Sequence, residues 1–283
     1  MQIEYPFMTE SVKGGSSILL QAVDVASTLV PRTAPNGIRF AMFGDTKIAD
    51  AELHRIVQAV PSVIAPALAD RVFYFVPLAI PEMRGADGTG GGLPEFREQE
   101  SGRTLIARDA LPELFDEAIC HRNVPVGATP GIPAHEGVFI SSRLMRDTFA
   151  LAFEFFINVG HAFSEHAGIP EAFIALAWGQ ALAEVRGETS QDAFETRTAA
   201  LACRAEGGKI DEKARLDFLE SSFADALAIY QLSLAVDFDY AELREREYPL
   251  LAPAALADRL RLMARLFPPN AGYDFSIRYR RRG

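Results

Sequence analysis

Cysteine is almost absent: the 283 residues contain two, Cys120 and Cys203, far apart and without CxxC spacing. This excludes a disulfide framework and a thiolate zinc site, and it points to reduced thiols in a cytoplasmic setting. Positive charge is also short. Lys and Arg number 28 against 38 Asp and Glu, for a formal net charge of -10, so the surface is not built to neutralise a phosphate backbone and nucleic acid is not an expected partner. Long apolar runs are missing as well. The stretch 56–69 is broken by Pro61 and Pro66, and 149–163 by Glu154, Asn158 and His161, so neither reaches the roughly 20 uninterrupted apolar residues of a membrane helix. The first residues carry Glu4 and no basic-then-apolar pattern, which argues against a secretory signal. The expectation is a soluble, cytoplasmic protein with no membrane partner.

An apolar content of 49% is enough for a sizeable core. The pattern predicts a helix over 16–29, a strand over 38–43 and a helix capped by Asp50 that runs toward Ala69, with its prolines marking a break. A single strand is expected over 72–80, then an irregular Gly- and Pro-rich loop over 81–102. A strand over 104–107, a helix over 111–120, an irregular passage over 123–134 and a strand over 137–141 follow. Beyond Ser142 the chain reads as helix: 146–166, 171–186, 191–205, 212–236 and 254–266. The fold class is therefore α+β: an N-terminal mixed α/β lobe with a small sheet (1–145), then a helix-rich C-terminal lobe (146–283), together one two-lobed domain. A cleft between the lobes is the default place for a ligand.

The chemistry concentrates on the helix that opens the second lobe. At about 100° per residue, Glu154, Asn158, His161 and Glu165 fall within a sector of about 60°, one polar line on an otherwise apolar helix. Such a line either faces water, forms a structural hydrogen-bond network or lines a cleft. In a cleft, His161 would act as metal ligand or acid/base, with Glu165 one turn away as co-ligand and Asn158 as a hydrogen-bonding group. Glu154 and His161 stand about 10.5 Å apart along the axis, too far to share one small ion.

The stretch Ile157-Asn158-Val159-Gly160-His161-Ala162-Phe163, preceded by the strand Val138-Phe139-Ile140-Ser141, resembles the active helix of the zincin metallopeptidases. In that family the helix carries HExxH. The resemblance implies a zincin-like fold with a degenerate site: Ile157 stands at the first ligand His and Asn158 at the catalytic Glu, and only His161 survives. Isoleucine has no lone pair to offer a metal and asparagine cannot take a proton from bound water, so standard HExxH hydrolysis is not expected. The resemblance further implies a third ligand on a following helix, where Gln180 occupies the aligned position and Glu184 and Glu188 are nearby candidates.

Three functions remain open on the sequence. The first is a zincin-like protein that has lost peptidase chemistry and binds a protein, peptide or small molecule in the inter-lobe cleft. The second is a metal-dependent hydrolase reorganised around His161 and Glu165, with a divalent ion such as zinc and a further ligand from Glu184, Glu188, His121 or His135. The third is a non-enzymatic assembly subunit unrelated to zincins, possible as an oligomer. Gly88–Gly92 lacks a P-loop pattern, Ser141-Ser142 lacks the G-x-S-x-G frame of a nucleophile, and the basic run Arg278–Arg282 reads as a solvated tail.

Overall fold

Arg71-Val-Phe-Tyr-Phe-Val76 is six buried residues in a row, the pattern of a strand covered on both faces. It forms the centre of the molecule in the computed structural model, which describes residues 19–81, 104–145, 147–202, 209–239, 243 and 248–277. In chain order the elements begin with β1 (Leu19–Gln21), α1 (Ala22–Thr28), β2 (Arg32–Thr33), β3 (Arg39–Met42), α2 (Asp50–Gln58), β4 (Arg71–Val76) and β5 (Leu78–Pro81). They continue with β6 (Thr104–Ala107), β7 (His121–Val126), β8 (His135–Ser141), α3 (Thr148–Ala167) and α4 (Glu171–Leu182). The chain closes with α5 (Gln191–Leu201), α6 (Glu212–Ala235) and α7 (Pro253–Leu266).

A five-stranded sheet runs β2-β3-β4-β8-β7, in which β3, β4 and β8 are parallel and the two outer strands antiparallel to their neighbours. Alternation along β4 decides what each face meets. Phe73 and Phe75 join the main core with α3, α6 and α7, whereas Val72, Tyr74 and Val76 join a smaller core with α1. A second, three-stranded sheet, β1-β6-β5, lies beside it. The main core draws on β3, β4 and β8 as well as on the long helices, so both halves of the chain share one apolar cluster. No helix among the described residues is long and apolar enough to cross a membrane.

Several expectations are corrected. The chain at Leu19–Gln21 is a strand paired with β6, and only 22–28 is helix. Asp50 is the first helical residue of α2 and makes no cap bond; Ala49 precedes it as N-cap. The 72–80 stretch is two strands in different sheets, broken at Pro77. The helix expected over 111–120 is only a 3-10 turn at Pro112–Leu114. The passage expected to be irregular opens inside β7, whose Pro125 is tolerated because the strand is at the sheet edge. Helix α4 stops at Leu182, not Arg186. The expected loop over 81–102 and the basic tail lie outside the described residues, apart from Pro81, which ends β5.

The central element is α3. Asp147 caps it by accepting the Ala150 N–H at 2.8 Å, and Gly168, with φ +74°, ends it. Its Leu151, Phe155, Phe156, Val159, Ala162 and Phe163 enter the main core. Gly160 lets α6 come close: a Cβ there would sit 2.9 Å from both Cα and O of Ala224.

Candidate functional site

With its apolar face fixed in the core, α3 turns the polar line toward the edge of the sheet. There Asn158, His161 and Glu165 meet Arg71 from β4, His121 and Asn123 from β7 and Val138 from β8 around an open recess of about 140 Å³. Three of the four residues of the expected line thus border one recess. Glu154 stands at its upper end, where Oε1 lies 2.7 Å from His121 Nδ1 and 3.2 Å from the Asn158 amide nitrogen. Asn158 also donates to the Glu154 carbonyl at 2.8 Å.

The lower end is held by an arginine that the sequence reading did not single out. Arg71 opens β4, is almost wholly buried, and donates to Glu165 Oε2 at 2.8 Å while its other terminal nitrogen lies 3.4 Å from Glu136. A charge at the start of an otherwise unbroken apolar strand was the available signal. Between the two ends, His161 is mostly buried, and burial lowers its pKa while Glu220, Glu165 and Asp192 oppose that shift and His121 adds to it. The imidazole is neutral at pH 7 and can donate from one nitrogen and accept at the other.

The remaining candidates lie elsewhere. Glu184 is exposed, in a left-handed turn (φ +55°) just past α4. Glu188 is fully buried in the helical half, with Arg259 at 2.9 Å and 3.3 Å and Arg197 at 3.0 Å on its two oxygens. Neither lines the recess, and Glu188 has no oxygen to spare for an ion. His135 is buried in the sheet, where its Nδ1–H donates to the Pro133 carbonyl and its Nε2 accepts the Tyr74 hydroxyl, both at 2.9 Å. His54 sits near Arg32 and Asp50 on α2, and His166 is exposed. Both serine hydroxyls are spoken for: Ser141 donates to the Ile119 carbonyl, and Ser142 to those of Val76 and Thr46. Among the described residues no three His, Cys, Asp or Glu side chains converge to hold a metal ion.

Of the residues that carry the zincin resemblance, most have packing roles. Gly160 admits α6, Ala162 is core, and Phe163 packs on Phe223 and Phe267. Ile157, at the first-ligand position, packs against the main core. Asn158, His161 and Ala162 are the members of that group that border the recess.

The Gln180 expected near a metal belongs to a second polar cluster, centred on Glu188. Gln180 accepts from Arg259 Nε at 2.8 Å and donates to the Ala255 carbonyl at 3.0 Å. Next to it Asp225 accepts the Thr189 hydroxyl at 2.8 Å, and Tyr248 donates to the Thr189 carbonyl at 3.0 Å. Burial pushes the Asp225 carboxyl up to about 6, against hydrogen bonds from Ser190 and Thr189. A carboxyl raised in the folded state stabilises fully below its unfolded value near 3.8, and this contribution is lost as pH rises through about 6. Asp225→Asn is therefore expected to gain stability relative to the parent by a few kcal/mol (about 1.4 per pKa unit) between pH 4 and 7. Urea midpoints of both proteins across that range check it, and parallel curves would refute the assignment.

Comparison with protein-family models, with curated proteins and with solved structures found no match to this chain.

Proposed function

We propose that this chain is a zincin-like protein without standard peptidase chemistry that acts by binding, with the recess between α3 and the β7 edge of the sheet as the contact. The observation that carries this reading is the pairing of both stripe carboxylates. Glu154 is held by His121 and Glu165 by Arg71, so neither is free to activate water, while the neutral His161 between them offers hydrogen bonds to an incoming group. At about 140 Å³ the recess is smaller than the roughly 300 Å³ of ordinary small-molecule pockets. It suits one side chain or terminal group of a protein or peptide, or the polar end of a small ligand.

The test is an NMR titration of the full chain with a small-fragment and short-peptide library, run on the parent and on His161→Ala. Saturable shifts at Asn158, His161 and Arg71 are expected, and they should disappear in the variant, whose stability should change by less than about 1 kcal/mol. A variant that loses stability and alters no ligand shift would favour the assembly subunit. A second reading, the reorganised metal hydrolase, draws on the two imidazoles, His121 and His161, that share the recess. It requires an ion to displace Arg71 from Glu165. Metal analysis of untagged protein decides it: about one equivalent lost on His161→Ala would overturn the binding reading.

A further inference from the structure

We propose that a second cavity, outside the carboxyl ends of β3 and β8, is a binding site for a small organic anion, with the anionic group on Arg143 and the hydrocarbon part against Ile48, Met145 and Leu151. This inference is independent of the recess. The cavity measures about 350 Å³ and lies between the loop after β3 and the loop that joins β8 to α3. That volume is within the range of small-molecule sites, and the carboxyl end of parallel strands is where open α/β sheets place ligands.

The charges around it select the sign of the ligand. Among the described residues, four charged side chains line the cavity: Lys47, Glu52, Arg143 and Asp147. Lys47 is paired with Asp45 at 2.6 Å. Glu52 accepts the Thr148 hydroxyl, and Asp147 accepts the Ala150 N–H as the cap of α3. Arg143 alone has no carboxylate within ion-pair distance among the described residues, although it acts on Asp45 through space. Its main chain is fixed, because the N–H groups of Ser142 and Arg143 donate to the carbonyls of Val76 and Pro77 at 2.8 Å and 3.0 Å. The cavity thus presents a half-buried arginine, on a fixed main chain and unanswered by a carboxylate among the described residues, beside the N-terminus of a 20-residue helix, whose dipole adds to the positive potential. Ile48, Met145 and Leu151 supply an apolar wall, which inorganic anions would not use. Glu52 and Asp147 oppose any anion, so the affinity for a short acid is expected to be weak, with a Kd of about 1 mM.

The test is an NMR titration of the full chain at constant ionic strength with butyrate, inorganic phosphate and butylammonium, repeated on Arg143→Gln and Arg143→Lys. Arg143 is not part of the core, so both variants are expected to fold. Saturable butyrate shifts confined to residues 46–52 and 142–151, weakened at least about tenfold in Arg143→Gln and less in Arg143→Lys, would support the site. Phosphate binding in place of butyrate would overturn the organic acid, and butylammonium binding would overturn the anion. Shifts that survive Arg143→Gln unchanged, or no saturable shift with any probe, would overturn the site itself.

Discussion

Glu188→Ala is expected to be among the most destabilising single substitutions in this protein, costing about 3–5 kcal/mol. Glu188 and Arg259 are both fully buried, and the carboxylate answers two guanidinium groups, those of Arg259 and Arg197. Removing it leaves Arg259 charged, buried and bonded only to the neutral Gln180. The asymmetry of a shared carboxylate gives a sharper test than the size of the loss. Arg259→Met should cost less, because Glu188 keeps Arg197 and a flexible apolar chain fills the vacated volume. Urea unfolding of both variants measures the difference. If Arg259→Met proved the more damaging, the cluster would be held by Arg259's bond to Gln180 and not by the carboxylate.

Phe155→Ala should cost about 3–5 kcal/mol by the cavity it leaves. Phe155 is fully buried and meets Phe73 edge to face at 5.0 Å between ring centres, with Phe75 at 5.6 Å and Phe156 at 5.3 Å. These contacts join α3 to the middle strand of the sheet, so the same substitution should also loosen the recess, which α3 and Arg71 of that strand help to line. Phe149→Ala, on the same helix but only partly buried and in contact with Phe153 and Phe238, is the control and should cost less than half as much. Equal losses in a denaturant titration would mean that the α3–sheet contact is not the main brace of the fold.

The legible part of the fold was its helices. Helices α3, α6 and α7 fall within two residues of their expected limits, because long segments with caps such as Asp147 and Asp211 carry their own boundaries. Strand signals were weaker. Residues 72–80 read as one apolar run, and nothing local shows that Pro77 hands the chain from one sheet to another. Residues 123–126 read as part of an irregular passage because Asn123 and Pro125 are poor strand formers, yet an edge position asks little of either.

The candidate site divides in the same way. That Glu154, Asn158, His161 and Glu165 share one face follows from helical geometry alone, and the sequence by itself determined it. What faces the stripe was decided only by tertiary structure. His121 lies 33 residues from Glu154 and Arg71 lies 94 from Glu165, and no periodicity links residues so far apart in the chain. Glu188 shows the same limit from the other side: four residues after Glu184 in sequence it reads as a spare ligand, and folding committed both its oxygens to arginines. A buried charge needs partners to offset lost hydration, and those partners come from whichever elements the core packing brings near.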